Sequence, residues 1–354
     1  MTGRALQKPP RLRRGDRIAA VTLSWGGPGV HPQRYAAGKR QLEEAFGVHV
    51  VELTHTLADP DFVATNPQAR ADDLHQAFAD PDIAGIVSTI GGDDSMRLLP
   101  LLDLELIAAH PKVFVGYSDT TTVHMACLKA GLRSFYGPAI MTGFAENAGL
   151  HDYLVHGVRR MLFSADAPVA WPENADGWTA EFLDWADPDS QARPRTLRPS
   201  AGWRWPSGAD PVEGPLVAGC LEVLDWLRGT PWWPELDGAV LALETSEEAP
   251  PPVAVTRFLR SLAVSGELQR LAALLFGRPG GSDLPVETHG EYDTAIRQVV
   301  HDECGLATLP VVTGLDFGHT DPIWTLPLGT LTRVDPQRRE IVWLDSGVSE
   351  PTRS

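Results

Sequence analysis

The sequence predicts an α/β protein with a doubly wound, mostly parallel sheet in an N-terminal domain and a smaller, mixed α/β domain at the C-terminus. In the first half, short continuous apolar runs alternate with helix-like segments, as in a parallel sheet covered on both faces. In the last third, short strands are interspersed with two helices and end in a pair joined by a tight turn, which indicates a mixed sheet.

The first half supplies four predicted strands and four predicted helices. The strands are at 17–23, 49–53, 83–90 and 113–115, and the helices at 32–46, 68–78, 95–102 and 120–129. Right-handed crossovers between such strands place functional loops beyond the carboxyl ends of the strands. This rule selects the loops at 24–29, 91–95 and 116–120.

The second half has a different organisation. Its predicted strands are at 215–219, 239–243, 271–276, 310–313, 328–334 and 340–344, and its predicted helices at 252–265 and 292–303. Between the halves lies a segment rich in Pro, Asp, Arg and Ser. We therefore predict an N-terminal domain over 1–163, a connecting loop over 164–211 and a C-terminal domain over 212–354.

The connecting loop and the residues after it are rich in tryptophan. Eight of the eleven Trp fall between 171 and 233. Two interpretations remain open: an ordered connection that packs its indoles onto the domain surfaces, or a loop whose indoles stack on a flat ligand.

Composition argues against several classes of partner and cofactor. Acidic residues outnumber Lys and Arg by 46 to 30, for a formal charge of -16, which disfavours nucleic acid polymers and membrane surfaces as partners. The three cysteines are too scattered for a zinc cluster, and no metal or nucleotide-phosphate motif is present, so no metal or cofactor is expected. No targeting or membrane segment is visible, which predicts a cytoplasmic protein.

Ser118 follows a predicted strand and opens a helix in Gly-Tyr-Ser-Asp-Thr at 116–120. This arrangement is mechanically similar to a nucleophile elbow, although Thr120 stands where that motif has its second Gly. The pentapeptide alone favours the simpler alternative, in which Ser118 or Asp119 only caps the helix.

A serine nucleophile needs a base and an orienting acid. His319 lies in a Gly/Pro-punctuated loop after the strand 310–313, where it can face a cleft. Glu244 directly follows the apolar strand 239–243 and is the best candidate for the acid, or else a capping carboxylate. Glu247 and Glu248 are expected in a solvated turn.

The loop Gly91-Gly92-Asp93-Asp94-Ser95 follows a strand and opens a helix. Its glycines allow the backbone to approach a ligand and point N–H groups at it. The N–H groups of Gly92 and Asp119 could then form an oxyanion hole, although a capped strand-to-helix turn explains the loop equally well.

Taken in order, Ile-Gly-Gly-Asp-Asp at 90–94, Gly-Tyr-Ser-Asp at 116–119, Leu-Glu-Thr-Ser-Glu-Glu at 243–248 and Gly-His at 318–319 resemble the LD-carboxypeptidase family of serine peptidases. The resemblance covers roughly residues 12–345 and is greatest to the microcin C immunity branch. It implies a metal-independent Ser118–His319–Glu244 triad, with Gly92 and Asp119 as oxyanion donors. It also implies a homodimer.

The same resemblance implies a small substrate with an amide bond, either an aminoacyl-nucleotide or a murein tetrapeptide. In the immunity branch aromatic residues of the long loop stack on the base, and Gly91 and Asp93 would also lie near the substrate. The candidate stacking residues are Trp178, Trp185, Trp203 and Trp205. A non-catalytic module that binds a small ligand and an esterase remain the alternatives.

Overall fold

A computed structural model of the chain describes residues 6–187 and 189–351, and it has the predicted mixed α/β architecture with two sheets. The strands are β1 (Arg17–Val21), β2 (His49–Glu52), β3 (Ile83–Ser88), β4 (Val113–Gly116), β5 (Phe135–Tyr136), β6 (Val169–Ala170), β7 (Arg204–Ser207), β8 (Val212–Cys220), β9 (Val240–Glu244), β10 (Ala273–Gly277), β11 (Val311–Leu315), β12 (Leu326–Pro327), β13 (Leu331–Asp335) and β14 (Glu340–Trp343). The α-helices are α1 (Gly27–Val30), α2 (Pro32–Phe46), α3 (Pro60–Thr65), α4 (Pro67–Ala79), α5 (Leu104–Ala109), α6 (Thr121–Ala130), α7 (Asp152–Leu162), α8 (Leu221–Trp226), α9 (Pro252–Val264) and α10 (His289–Arg297).

The first sheet has the order β12-β5-β4-β3-β1-β2. All its pairs are parallel except β12 with β5, and every residue of β4 is buried. Strands buried on both faces must be apolar throughout, which is why the sequence shows them as continuous apolar runs. The carboxyl ends of β1, β3 and β4 therefore meet at one edge of the sheet.

The second sheet has the order β6-β14-β13-β8-β9-β10-β11-β7. Its centre, β8 to β11, is parallel, and its flanks are antiparallel. The predicted connecting loop at 164–211 supplies the two edge strands β6 and β7 of this sheet. It is therefore an ordered part of the fold.

The structure differs from the predicted elements at several helices. The predicted helix at 95–102 is a tight 3-10 helix, Ser95–Leu101, with Pro100 inside it. The predicted helix at 292–303 begins earlier, as α10, and its last part, Gln298–Glu303, is wound more widely. Helix α7 has no counterpart in the prediction, because its first residue follows His151, whose side chain gives no capping hydrogen bond and so no start signal.

An aromatic cluster ties the connecting segment to the second sheet. The Trp171 ring stacks on that of Trp343 with centroids 5.5 Å apart, and it packs edge-on against Trp203 at 5.1 Å. Phe317, which follows β11, lies 5.9 Å from Trp171. These indoles are core residues, so the interpretation of the Trp-rich segment as an ordered connection holds for them.

Within residues 6–187 and 189–351, every helix is too short or too polar to cross a lipid bilayer.

Candidate active site

Ser118 lies where β4 ends and a single 3-10 turn leads into α6. Its φ is 61°, in the left-handed region that non-glycine residues rarely adopt. Residues with such strained backbone conformations are often found at functional sites. Its side chain lines a cleft, and its backbone N–H donates to the Tyr136 hydroxyl at 3.0 Å. Tyr136 is beside this turn because β5 pairs with β4 in a register that sets Tyr136 opposite Gly116.

Glu244 is the last residue of β9 and is fully buried. Its Oε1 accepts a hydrogen bond from the Tyr136 hydroxyl at 2.5 Å, and its Oε2 lies 2.7 Å from Nδ1 of His319. Burial raises the pKa of Tyr136 well above its ordinary value, so the phenol remains protonated and donates. The Glu244 carboxylate therefore has a donor for each of its oxygens.

His319 stands in the turn after β11 and is positioned by the residue before it. Gly318 has φ 97°, and a Cβ there would lie 2.6 Å from Oε2 of Glu244. Only glycine permits this approach of backbone to carboxylate. The His319 ring also packs against Tyr117 with centroids 5.0 Å apart.

The second ring nitrogen of His319 also faces a carboxylate: Nε2 lies 3.0 Å from Oε2 of Glu247. Glu247 was expected in a solvated turn, and its side chain is indeed 71% exposed, but its carboxylate reaches back to the imidazole. Sequence could not show this, because Glu247 and Glu248 are equivalent in pattern.

The two carboxylates dominate the electrostatics of His319. Burial alone would lower the pKa of the imidazole, but the charges and hydrogen bonds of Glu244 and Glu247 outweigh it and raise the pKa well above 6.5. The hydrogen bond from His319 in turn lowers the pKa of Glu247 to about 2. The two carboxylates therefore favour the protonated, imidazolium form of His319 in the free protein.

The Gly91-Gly92 loop lies against Ser118. A Cβ on Gly91 would be 2.8 Å from Oγ of Ser118, so only glycine fits there. The buried Asp119 carboxylate accepts from the backbone N–H groups of Asp94 at 3.1 Å and Ser95 at 2.8 Å, which fixes the loop to the start of α6.

Several backbone N–H groups in these turns have no acceptor among the described residues. The N–H groups of Gly92 and Asp119 donate to no acceptor within the described part of the chain. Asp93, which was expected near the substrate, is exposed and does not line the cleft.

The cleft has a volume of about 550 Å³ and contains Ser118, His319 and Glu247 together with Trp185. Of the four tryptophans proposed to contact a ligand, Trp185 is the one that lines it. Trp178 is buried against His289 and Arg278, Trp203 donates from Nε1 to Asp316, and Trp205 packs against the core.

Arg34 on α2 also lines the cleft and is 6% exposed. Its guanidinium donates to neutral oxygens, namely the Met141 carbonyl and the side chains of Asn147 and Gln191, and lies 5.0 Å over the Trp185 ring. None of its hydrogen bonds within the described residues goes to a carboxylate. Burial accordingly lowers its pKa to about 10.

The neighbouring arginine in the cleft is neutralised, unlike Arg34. Arg195 forms ion pairs with Glu146 and with Asp321, the latter at 2.7 Å. Among the described residues, Arg34 therefore has no ion-pair partner, and it lies next to the Trp185 indole in the cleft.

Sequence reasoning missed Tyr136, Glu247 and Arg34 as members of the site. Tyr136 ends a two-residue strand, and Arg34 sits in an amphipathic helix where a basic residue is ordinary. In residues 6–187 and 189–351 no three His, Cys, Asp or Glu side chains are grouped so that they could hold a metal ion.

Two family models match the chain. The LD-carboxypeptidase N-terminal domain matches residues 18–137, and the LD-carboxypeptidase C-terminal domain matches residues 213–334. The chain is 31% identical over 274 residues to the microcin C7 self-immunity protein MccF of Escherichia coli, covering 77% of each protein.

Solved structures give the same relationship. The complex of MccF with aspartyl sulfamoyl adenosine aligns with a TM-score of 0.84 and 28% identity, over 97% of this chain and 100% of that one. An MccF-like protein from Streptococcus pneumoniae in complex with AMP aligns with a TM-score of 0.82 and 28% identity, over 93% and 98%.

Proposed function

The chain belongs to the LD-carboxypeptidase family and is a serine carboxypeptidase, and within that class we propose that it hydrolyses the amide bond of an aminoacyl-nucleotide by a Ser118–His319–Glu244 triad. The observation that carries the proposal is the 2.7 Å contact of His319 Nδ1 with the buried Glu244, in a cleft that also contains Ser118. A nucleophile, a base and its orienting acid are the groups that acyl transfer requires.

The proposed reaction has two steps. Ser118 Oγ attacks the amide carbon while His319 Nε2 takes the hydroxyl proton, and the N–H groups of Gly92 and Asp119 stabilise the oxyanion. His319 then gives that proton to the leaving nitrogen as the C–N bond breaks. A water molecule hydrolyses the ester on Ser118 by the same sequence, and the Tyr136 hydroxyl holds Glu244 in place throughout.

The charge and shape of the cleft support an aminoacyl-nucleotide as substrate. Trp185 offers an indole face for a base, and the unpaired Arg34 beside it suits an anionic or strongly polar linkage between base and acyl group. Aspartyl sulfamoyl adenosine, the ligand of the MccF complex, has all three parts.

A murein tetrapeptide is the alternative substrate, since the family is named for LD-carboxypeptidases. A free terminal carboxylate would also pair with Arg34, but a tetrapeptide has no flat ring for Trp185. The predicted homodimer and the cytoplasmic location rest on the sequence alone and remain predictions.

The test is a substrate panel with aspartyl sulfamoyl adenosine and an L–D tetrapeptide. Wild type should cleave the nucleotide compound faster, and Ser118→Ala should lower turnover by several orders of magnitude with an unchanged circular dichroism spectrum. Ser164→Ala, outside the cleft, is the matched control and should retain wild-type turnover. Equal rates for Ser118→Ala and wild type would refute the triad, and faster tetrapeptide cleavage would favour the murein substrate.

A further inference from the structure

Glu247 is the feature of the cleft that the proposed reaction leaves unexplained. Its carboxylate lies 3.0 Å from Nε2 of His319, the nitrogen that must accept the Ser118 proton. Ser118 Oγ itself has no hydrogen bond to any residue that the structure describes. In the free protein, therefore, the base is engaged by Glu247 and not by the nucleophile.

The two carboxylates on His319 differ in their freedom to move. Glu244 is fully buried and is held by Tyr136, whereas the Glu247 side chain is 71% exposed and holds His319 from the solvent side of the cleft. The Glu247 side chain is open to solvent, so it can turn from His319 to another cation without becoming a buried, unpaired carboxylate. Glu244 cannot make the same exchange, because it is buried and hydrogen-bonded to Tyr136.

We propose that Glu247 is a specificity-determining residue that binds a protonated amino group of the substrate next to the scissile amide, and that this exchange releases His319 to accept the Ser118 proton. The inference rests on the proposed function and assigns the substrate class further: an acyl donor with a free α-ammonium group.

The other carboxylates of the cleft already have partners, so Glu247 is the carboxylate available to bind a substrate ammonium group. Of the three carboxylates that line the cleft, Glu181 accepts from the backbone N–H of Thr196, and Asp321 pairs with Arg195. Glu247 has His319 as its partner, and a substrate ammonium can take that place. The remaining groups that face the imidazole are the Glu244 carboxylate and, through ring contact, the Tyr117 phenol, which burial keeps protonated by raising its pKa.

The proton balance of the exchange is simple. When Glu247 turns to the ammonium group, the imidazolium loses a stabilising anion, and its Nε2 proton passes to bulk water. Glu247 stays ionised throughout, and the substrate keeps its own protons. Nε2 then has a free lone pair directed at the cleft, which the first step of the proposed reaction requires.

The first arm of the test needs no substrate. The pKa of His319 is measured by NMR on protein with labelled histidine, with the signal assigned by its loss in His319→Asn. Glu247→Gln should lower that pKa, whereas Glu248→Gln, the adjacent exposed acid outside the cleft, should leave it at the wild-type value. An unchanged pKa in Glu247→Gln overturns the inference.

The second arm compares kcat/KM for aspartyl sulfamoyl adenosine and for its N-acetyl form, which has no ammonium group. Wild type and Glu248→Gln should prefer the free amine by about tenfold to one-hundredfold, the worth of one charged hydrogen bond. Glu247→Gln should reduce the preference to within about threefold. Retention of the full preference in Glu247→Gln contradicts the assignment.

Failure of the proposed function has a different signature. If wild type cleaves neither compound, the proposed function falls, and calorimetric binding of the same two compounds to the Ser118→Ala protein decides the role of Glu247. A preference for the free amine that disappears in Ser118→Ala/Glu247→Gln supports that role, and equal affinities for the two compounds refute it.

Discussion

Gly318→Ala is the substitution whose effect the geometry of the site defines most closely. The residue has φ 97°, and the added methyl group would lie 2.6 Å from Oε2 and 2.7 Å from Cβ of Glu244. The left-handed backbone costs an L-residue about 1–2 kcal/mol, and overpacking adds about 1–3 kcal/mol. We therefore expect a loss of about 2–5 kcal/mol in the free energy of unfolding.

Activity should fall further than stability suggests. To reach an ordinary contact the Glu244 carboxylate must retreat by roughly 0.8 Å, which pulls it from its position against His319. A displacement of that size in a catalytic group costs about one-hundredfold in turnover. The assay is kcat on the best substrate of the panel, together with the thermal midpoint from calorimetry.

Gly290→Ala is the matched control for this experiment. Gly290 is an exposed residue of α10, and a Cβ there meets nothing within 4 Å. Alanine in a helix should leave activity unchanged and raise stability by about 0.5–1 kcal/mol. The argument about the 318–319 turn is refuted if Gly318→Ala matches Gly290→Ala in both turnover and thermal midpoint.

Three further predictions concern charge. Arg34→Gln should raise KM for the nucleotide substrate by about tenfold or more with little change in kcat, because it removes the buried cation that would bind the polar linkage of the substrate. A fall in kcat with an unchanged KM would contradict this prediction. The pH profile of kcat/KM should rise with a midpoint above 6.5, since the base must lose its proton and the pKa of His319 is raised; a midpoint below 6.5 would oppose it. Burial lowers the pKa of His124 to about 4, so between pH 6.5 and 4 the unfolded chain binds a proton at this residue that the folded chain does not bind. The free energy of unfolding, measured by urea denaturation, should therefore fall by a few kcal/mol from pH 6.5 towards 4. A free energy that does not change with pH would contradict a neutral, buried His124.

Sequence could predict the parts of the site that sit at the ends of periodic elements. Glu244 ends an apolar strand of the second sheet, and Ser118 lies two residues after an apolar strand of the first, so each stands at the carboxyl edge of parallel strands, where functional loops lie. His319 follows such a strand by four residues, within a loop that Gly and Pro mark. Helix α2 begins and ends where the pattern places it, because Pro32 and Gly47 are local signals.

The remaining members of the site depend on packing between distant segments. Tyr136 acts through the register of a two-residue strand, and Glu247 is distinguished from Glu248 only by which carboxylate meets His319. The four candidate tryptophans were alike in sequence, yet three are taken up by contacts outside the cleft and Trp185 faces it. Local pattern has no access to such choices, which long-range contacts decide.

The short strand β12 has a consequence for the evolution of this architecture. It lies seven residues after His319 and returns to the first sheet, where Leu326 pairs with Tyr136. The segment that follows His319 therefore pairs with β5, the strand whose Tyr136 hydroxyl is hydrogen-bonded to both Ser118 and Glu244. We therefore expect a recombinant of this N-terminal half with a relative's C-terminal half to disturb the pairing of β12 with β5, and with it the placement of His319 relative to Ser118.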